Sequence, residues 1–392
     1  MYTDVTPMQL AKGETVTRRL SALVMALAAL AGAAALAQMN QEKGGGDETG
    51  PYDLVANWPE NYCGAGHQIG STAGIWAESP DRVYIFNRGC LPVLKEERGA
   101  ADSFIPTRNA SGYDMSQKDP ARHPRWDHVF NVVDRNGKLV ESWEQHNQRF
   151  VRPHRILVSP YDPDRHVWLV DDGAHAIYKF TRDGKQLVLT LGTPMQPGND
   201  ATHFARPTDV AWLPDGTFFV SDGYVNTRVV KFDKTGKFIM TWGQPGTPPR
   251  ETRPGYMNTV HAIAIDKNRR IYISDRANSR VQVFDENGKF LDAWPNVRRP
   301  YSFLLTEDQH LWIADGITQK FTKFDLNGRL LYSWGTFGAF PGGFWGVHQF
   351  HTDSEGNLYT ADVHVGRPQK FSPKKGAPAA NLIGRYMHGT TH

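Results

Sequence analysis

The chain has 392 residues, 40% of them apolar and 22% charged, with 37 Gly, 25 Pro, 11 Trp and 2 Cys. Its 44 basic and 41 acidic residues leave a net charge of +3, which supplies no global field for nucleic acid or an anionic membrane. Two Cys against 15 His exclude a disulfide-dense scaffold and a Cys-rich zinc site, and turn any metal chemistry toward imidazole.

The N-terminus reads as an address. Thr17-Arg18-Arg19 precedes an apolar run, Leu20 to Ala37, that ends Ala35-Leu36-Ala37, the pattern of a secretory signal cleaved after Ala37. The expectation is a signal peptide over 1–37, a Gly-rich linker over 38–51 and one domain over 52–392, exported to the periplasm or secreted. Cys63 and Cys90 flank a strand-like segment. An exported chain could join them, and two free thiols remain open as the alternative.

From there a repeat governs the chain. Asn136-Gly137-Lys138, Asp183-Gly184-Lys185, Thr235-Gly236-Lys237, Asn287-Gly288-Lys289 and Asn327-Gly328-Arg329 recur about every fifty residues, with Lys375-Gly376 a degenerate sixth. Such turns between alternating apolar segments predict hairpins. Before each turn lies a strand ending in an aromatic residue, such as Phe180, Phe232 or Phe284. Before that lies one ending in Asp171, Asp222, Asp275, Asp315 or Asp362, each read as a structural acceptor for a neighbouring turn. After the turn a fourth strand often ends in Trp, as at Trp143, Trp242, Trp294 and Trp334. Four short strands per repeat and six repeats predict an all-β, six-bladed β-propeller with four antiparallel strands per blade.

The first strand of each blade lines the central channel. Aligned by that strand, the blades read Ala73-Gly74-Ile75, His154-Arg155-Ile156, Thr208-Asp209-Val210, His261-Ala262-Ile263, Tyr301-Ser302-Phe303 and His348-Gln349-Phe350. The leading position holds His in blades two, four and six. Alternate blades of a six-fold ring are related by about 120°, so three imidazoles would converge on the axis and leave one position open, as a catalytic zinc requires. His351 competes with His348, but residues three apart in a strand face opposite sides, and register favours His348. Beside the ring, Tyr224, Arg276 and Arg88 fall just past the ends of second strands, over one mouth of the channel, where they would suit an anionic substrate at a cation.

These residues resemble the peptidyl-α-hydroxyglycine α-amidating lyases, carried on a propeller of NHL-type repeats. The densest likeness is Leu191-Gly192-Thr193-Pro194-Met195-Gln196-Pro197-Gly198, His203-Phe204, Pro207-Thr208-Asp209-Val210-Ala211 and Ser221-Asp222-Gly223-Tyr224 with Asn226 and Arg228, and it extends with gaps from Trp58 to Phe371. The resemblance implies a catalytic zinc, or another divalent transition metal, on His154, His261 and His348, a catalytic Tyr224, and active-site Arg88 and Arg276. It also implies a structural calcium on the carbonyls of Ile75 and Ile156 and on the residue after the third His. That residue is Gln349, whose neutral amide oxygen is a weaker calcium ligand than a carboxylate, which argues against calcium.

Other departures follow. The family's disulfide positions carry Ala205, Val225 and Tyr272. Gly346-Val347 replaces a Met-Pro before the third His. A segment from Leu91 to Arg125 has no counterpart, and nothing here reads as a monooxygenase domain, so a hydroxyglycine would have to come from elsewhere. The implied reaction is cleavage of the N–C bond of an α-hydroxyglycine to an amide and glyoxylate, with Tyr224 as general base and the two Arg as carboxylate clamp. The expected partner is a small-molecule or peptide substrate bearing a carboxylate, met by a monomer without nucleic acid or membrane. The rival readings are a metal-dependent propeller hydrolase or lactonase, and a non-catalytic NHL disc that binds protein.

Overall fold

A computed structural model describes residues 49–93, 125–249 and 251–387. The leader assigned to 1–37, nearly all of the linker and most of the 91–125 insert lie outside these residues. The repeating turn shows why the blades form. Asp233 Oδ1 accepts from the amides of Thr235 at 2.8 Å and Lys237 at 3.0 Å while Gly236 turns at φ +90°, a conformation glycine adopts without steric cost. Asp134, Asp285 and Asp325 repeat the arrangement. The turn glycines also make room. A Cβ on Gly184 would stand 2.2 Å from Trp143, and one on Gly328 2.5 Å from Trp294. Trp143, Trp242 and Trp294, each closing a blade, therefore lie against the hairpin turn of the next.

The strands assemble into six four-stranded antiparallel sheets. From axis to rim, blade one is Thr72–Ser79, Arg82–Asn87, Phe130–Val133 and Leu139–Ser142. Blade two is Pro153–Val158, Val167–Asp171, Ala176–Phe180 and Leu187–Leu191. Blade three is Pro207–Trp212, Phe218–Asp222, Arg228–Phe232 and Phe238–Trp242. Blade four is Val260–Ile265, Ile271–Asp275, Arg280–Phe284 and Phe290–Trp294, and blade five is Pro300–Leu305, Leu311–Asp315, Phe321–Phe324 and Leu330–Trp334. Every inner strand packs on the inner strands of both neighbours, so the ring is closed. Apolar cores fill the gaps between consecutive blades, for example Leu157, Val170, Trp212 and Val220 between blades two and three.

Blade six departs from the expected repeat. Its inner three strands are Val347–Thr352, Leu358–Asp362 and Arg367–Pro373, but its rim strand is Tyr52–Leu54, paired Tyr52 to Pro373 and Leu54 to Phe371. The Lys375-Gly376 turn leads to no fourth strand among the described residues. The two ends of the propeller thus share one sheet, which leaves no unpaired seam between first and last blades. Cys63 and Cys90 form a disulfide with Cα atoms 5.7 Å apart. Of the two states the sequence left open, the structure holds the bonded one. The bridge ties down a small sheet, His67–Ile69 with Cys90–Pro92.

The inner strands share one irregularity. In each the ladder skips the second residue: Ala73, His154, Thr208, Tyr301 and His348 stand at register shifts, and in blade four His261 and Ala262 do. A β-bulge bends the strand and re-aims the extra side chain. Here it falls, blade after blade, on the position that carries the histidines.

Candidate active site

The three bulges bring His154, His261 and His348 together on the axis, fully buried. Their ring centroids are 4.4–5.0 Å apart, and one ligand nitrogen from each lies within 4.8 Å of the others. His261 Nδ1 donates to Tyr301 O at 2.6 Å and His348 Nδ1 to Ala73 O at 2.9 Å. Those bonds fix the tautomer and leave Nε2 lone pairs facing inward, the way carbonyl-anchored histidines present themselves to a metal. His154 Nδ1 is buried without a hydrogen-bond partner. Burial, and then the neighbouring imidazole and guanidinium groups, hold all three well below the usual histidine range, so they are neutral, the ligand form. The donor set therefore fits a divalent transition metal. His351 lies on the other side of its strand, with its ring centroid 3.9 Å from that of Trp76.

Tyr224 enters from blade three. Its Oη is 2.8 Å from His261 Nε2 and 3.3 Å from His154 Nε2, and Arg276 Nη1 donates to it at 3.5 Å. The Arg276 guanidinium also lies 4.5 Å over the Tyr301 ring. Arg88 is buried, donating from Nε to Pro153 O at 3.2 Å and from Nη1 to Ser71 Oγ at 3.4 Å, which leaves further N–H groups for a ligand. Burial, followed by repulsion from Arg152, pulls its pKa down to about 10, still charged at neutral pH. Its loop is held by Arg88 N to Ser71 O at 2.8 Å and by the disulfide at Cys90. The blade aspartates anchor the other mouth loops as expected: Asp171 accepts from the amides of Val151, Arg152 and Ala174, and Asp275 from Asn258 and Arg280.

Comparison with known proteins now carries weight. An NHL repeat model matches residues 257–284, the first three strands of blade four. The chain is 31% identical over 239 residues to peptidyl-glycine alpha-amidating monooxygenase B of Xenopus laevis, covering 60% of this chain and 25% of that one. It is 30% identical over 247 residues to peptidyl-alpha-hydroxyglycine alpha-amidating lyase 1 of Drosophila melanogaster, covering 61% and 41%. Over about 60% of its length this chain is similar to proteins named amidating lyases. It spans between a quarter and about two fifths of the length of these two relatives. A crystal structure of a Bacteroides thetaiotaomicron protein of unknown function shares the fold, with 15% identity and a TM-score of 0.50 over 78% of this chain and 70% of that one.

Against the lyase resemblance, two residues at the mouth went unread in the sequence. Arg206, at φ +67°, lays its guanidinium 4.3 Å over the Tyr224 ring while pairing with Asp172, and so braces the tyrosine. His364 lies two residues past Asp362 as Tyr224 lies two past Asp222, and its ring occupies the space a side chain at Gly346 would need, 2.2 Å from that Cβ position. The register that located Tyr224 also points to His364; the Gly in place of Met-Pro was the second signal. The calcium positions do come together, but Ile75, Ile156 and Gln349 satisfy one another: Gln349 Oε1 accepts from both isoleucine amides and its Nε2 donates to Ile156 O.

The neutral histidines set a pH dependence. In the unfolded chain each takes a proton near pH 6.5, at about the free imidazole value. Below that pH the unfolded state binds more protons, so their contribution is full above about 6.5 and is lost as pH falls, at about 1.4 kcal/mol per unit for each histidine. Metal-free denaturation from about pH 7.5 to 5 is expected to show an acid slope smaller by about one proton in His348→Gln. An unchanged slope would mean that folding does not suppress protonation of His348.

Proposed function

We propose that the chain is a metal-dependent lyase that cleaves the N–C bond of a peptidyl-α-hydroxyglycine or similar carbinolamide, releasing an amide and glyoxylate. The observation that carries the reading is the position of Tyr224 Oη, within hydrogen-bond reach of two inward-facing imidazoles and of Arg276. The lyase homologues support it. Zinc on His154, His261 and His348, when bound, would polarise a substrate oxygen as a Lewis acid. Arg88 and Arg276 bind and orient the planar carboxylate, a task suited to guanidinium forks. Tyr224 Oη takes the proton of the carbinol hydroxyl as the C–O bond becomes a carbonyl, and passes its own proton on to the departing nitrogen. The C–N electron pair leaves with the amide nitrogen, which recovers a proton. The net change moves one proton from oxygen to nitrogen and consumes no water. An exported location suits the Cys63–Cys90 disulfide.

Purified protein is assayed on α-hydroxyhippurate alongside metal analysis. Benzamide and glyoxylate in equal amounts, with one zinc per chain, are expected. Benzoate formation would favour the hydrolase reading, and a folded, metal-free, inert protein would remove both enzymatic readings.

A further inference from the structure

Next along each inner strand comes the residue that follows the histidine-ring position. In three blades that residue is polar and long or charged: Arg155, Asp209 and Gln349, each at most 3% exposed. Arg155 Nη1 meets Asp209 Oδ2 at 2.9 Å, and its Nη2 donates to His348 O at 3.1 Å and Tyr301 O at 3.4 Å. Asp209 also accepts from the amides of Ile263 at 3.2 Å and Val210 at 2.9 Å. Gln349 Oε1 accepts from Ile75 N at 3.2 Å and Ile156 N at 3.1 Å, while its Nε2 donates to Ile156 O at 2.6 Å. One guanidinium, one carboxylate and one amide, from blades two, three and six, thus reach the other three blades through Ile75, Ile263 and Tyr301.

A calcium ion needs six to eight oxygens with free lone pairs, including carboxylates. The chemistry on this axis is the reverse. The Gln349 oxygen is turned toward N–H donors, the Ile156 carbonyl is engaged by an amide N–H, the residue in the carboxylate position is neutral, and the one buried carboxylate nearby is paired with a fixed positive charge. The residues do not fit the second ion that the lyase resemblance implies.

We infer that this chain carries its axial cation as a side chain: the Arg155 guanidinium, neutralised by Asp209 and wedged by Gln349, does the cross-blade work of a structural ion, so the channel axis binds metal at the histidine ring alone and the propeller folds without an axial calcium. Backbone carbonyls of blades five and six converge on Arg155, as carbonyls converge on a bound cation. An Arg cannot dissociate or be chelated and is never deprotonated at physiological pH, so the brace survives in calcium-poor surroundings. The inference stands apart from the reaction and does not depend on it.

The test compares thermal unfolding of the metal-loaded wild type in excess calcium chloride and in the calcium-selective chelator EGTA, with elemental analysis of the same samples. Coincident transitions and no retained calcium are expected. A site filled a hundredfold over its Kd would raise Tm by several degrees, and such a shift, or stoichiometric calcium in the purified protein, would overturn the inference. The double substitution Arg155→Ser with Gln349→Asp restores a carboxylate and removes the internal cation. It is expected to acquire a calcium-dependent Tm that the wild type lacks. If it folds with no response to calcium, the axis never had the geometry of a cation site and the assignment of Arg155 to that role fails.

Discussion

Replacing Tyr224 by Phe is expected to lower kcat for glyoxylate release by a factor of roughly 10² to 10⁴, the usual contribution of a positioned proton acceptor, with KM and metal content nearly unchanged. The substitution deletes one oxygen. The ring keeps its contacts with the Arg206 and Arg276 guanidinium groups, 4.3 and 5.5 Å from its centroid, and the carboxylate clamp of Arg88 and Arg276 is untouched. What disappears is the one hydroxyl that reaches both His261 and His154. Steady-state kinetics on α-hydroxyhippurate, with zinc content measured on the same preparation, separate the outcomes. A kcat within threefold of wild type would show that another group takes the proton. A large rise in KM at constant kcat would make Tyr224 a binding residue instead.

The second large effect is on stability. Asp209→Ala leaves the Arg155 guanidinium buried on the axis with its charge unpaired, and breaking a buried pair from one side costs about 3–5 kcal/mol. Removing both charges together, as in Arg155→Met with Asp209→Leu, is expected to recover most of that loss, because well-packed apolar replacements of a buried pair are often neutral or better. Urea denaturation of Arg155→Met, Asp209→Leu and the double variant gives the coupling directly. A single-variant cost under about 1 kcal/mol, the range of exposed pairs, would mean that water reaches the channel below the histidines. Burial pushes the Asp209 carboxyl up against the pull of Arg155 and its amide donors. The guanidinium and the two backbone amides keep the pair ionic, and the pair rather than either residue alone is the unit that matters.

Much of this could be read from the chain because a propeller repeats its register. The His at the head of alternate inner strands and the Tyr and Arg just past second strands were legible by alignment of blades with one another. The turn Asp and Gly were legible by turn chemistry. Four features were not. The bulge at each histidine is a backbone event with no residue signature, so the sequence placed the side chains in line but not what aims them. The rim strand of blade six, Tyr52–Leu54, is three residues long and lacks a preceding turn of the repeat type, so the repeat count suggested a C-terminal strand instead. The Arg155–Asp209 pair joins residues 54 positions apart, and each reads singly as an ordinary polar residue of a strand. Arg206 and His364 sit in loops, where periodicity says nothing and only the blade alignment could have helped.

The shared sheet of blade six has a kinetic meaning. Residues 52–54 find their partners at 371–373, so the last contact to form spans nearly the whole domain, and contacts of such separation are the slow ones. A chain emerging N-terminus first can build blades one to five as it appears, but it must keep its first strand uncommitted until its last is delivered. Folding of this domain is therefore expected to finish only after residues 371–373 are available to pair. Until then an open edge waits at both ends, ready to pair with each other or with another copy in the same condition.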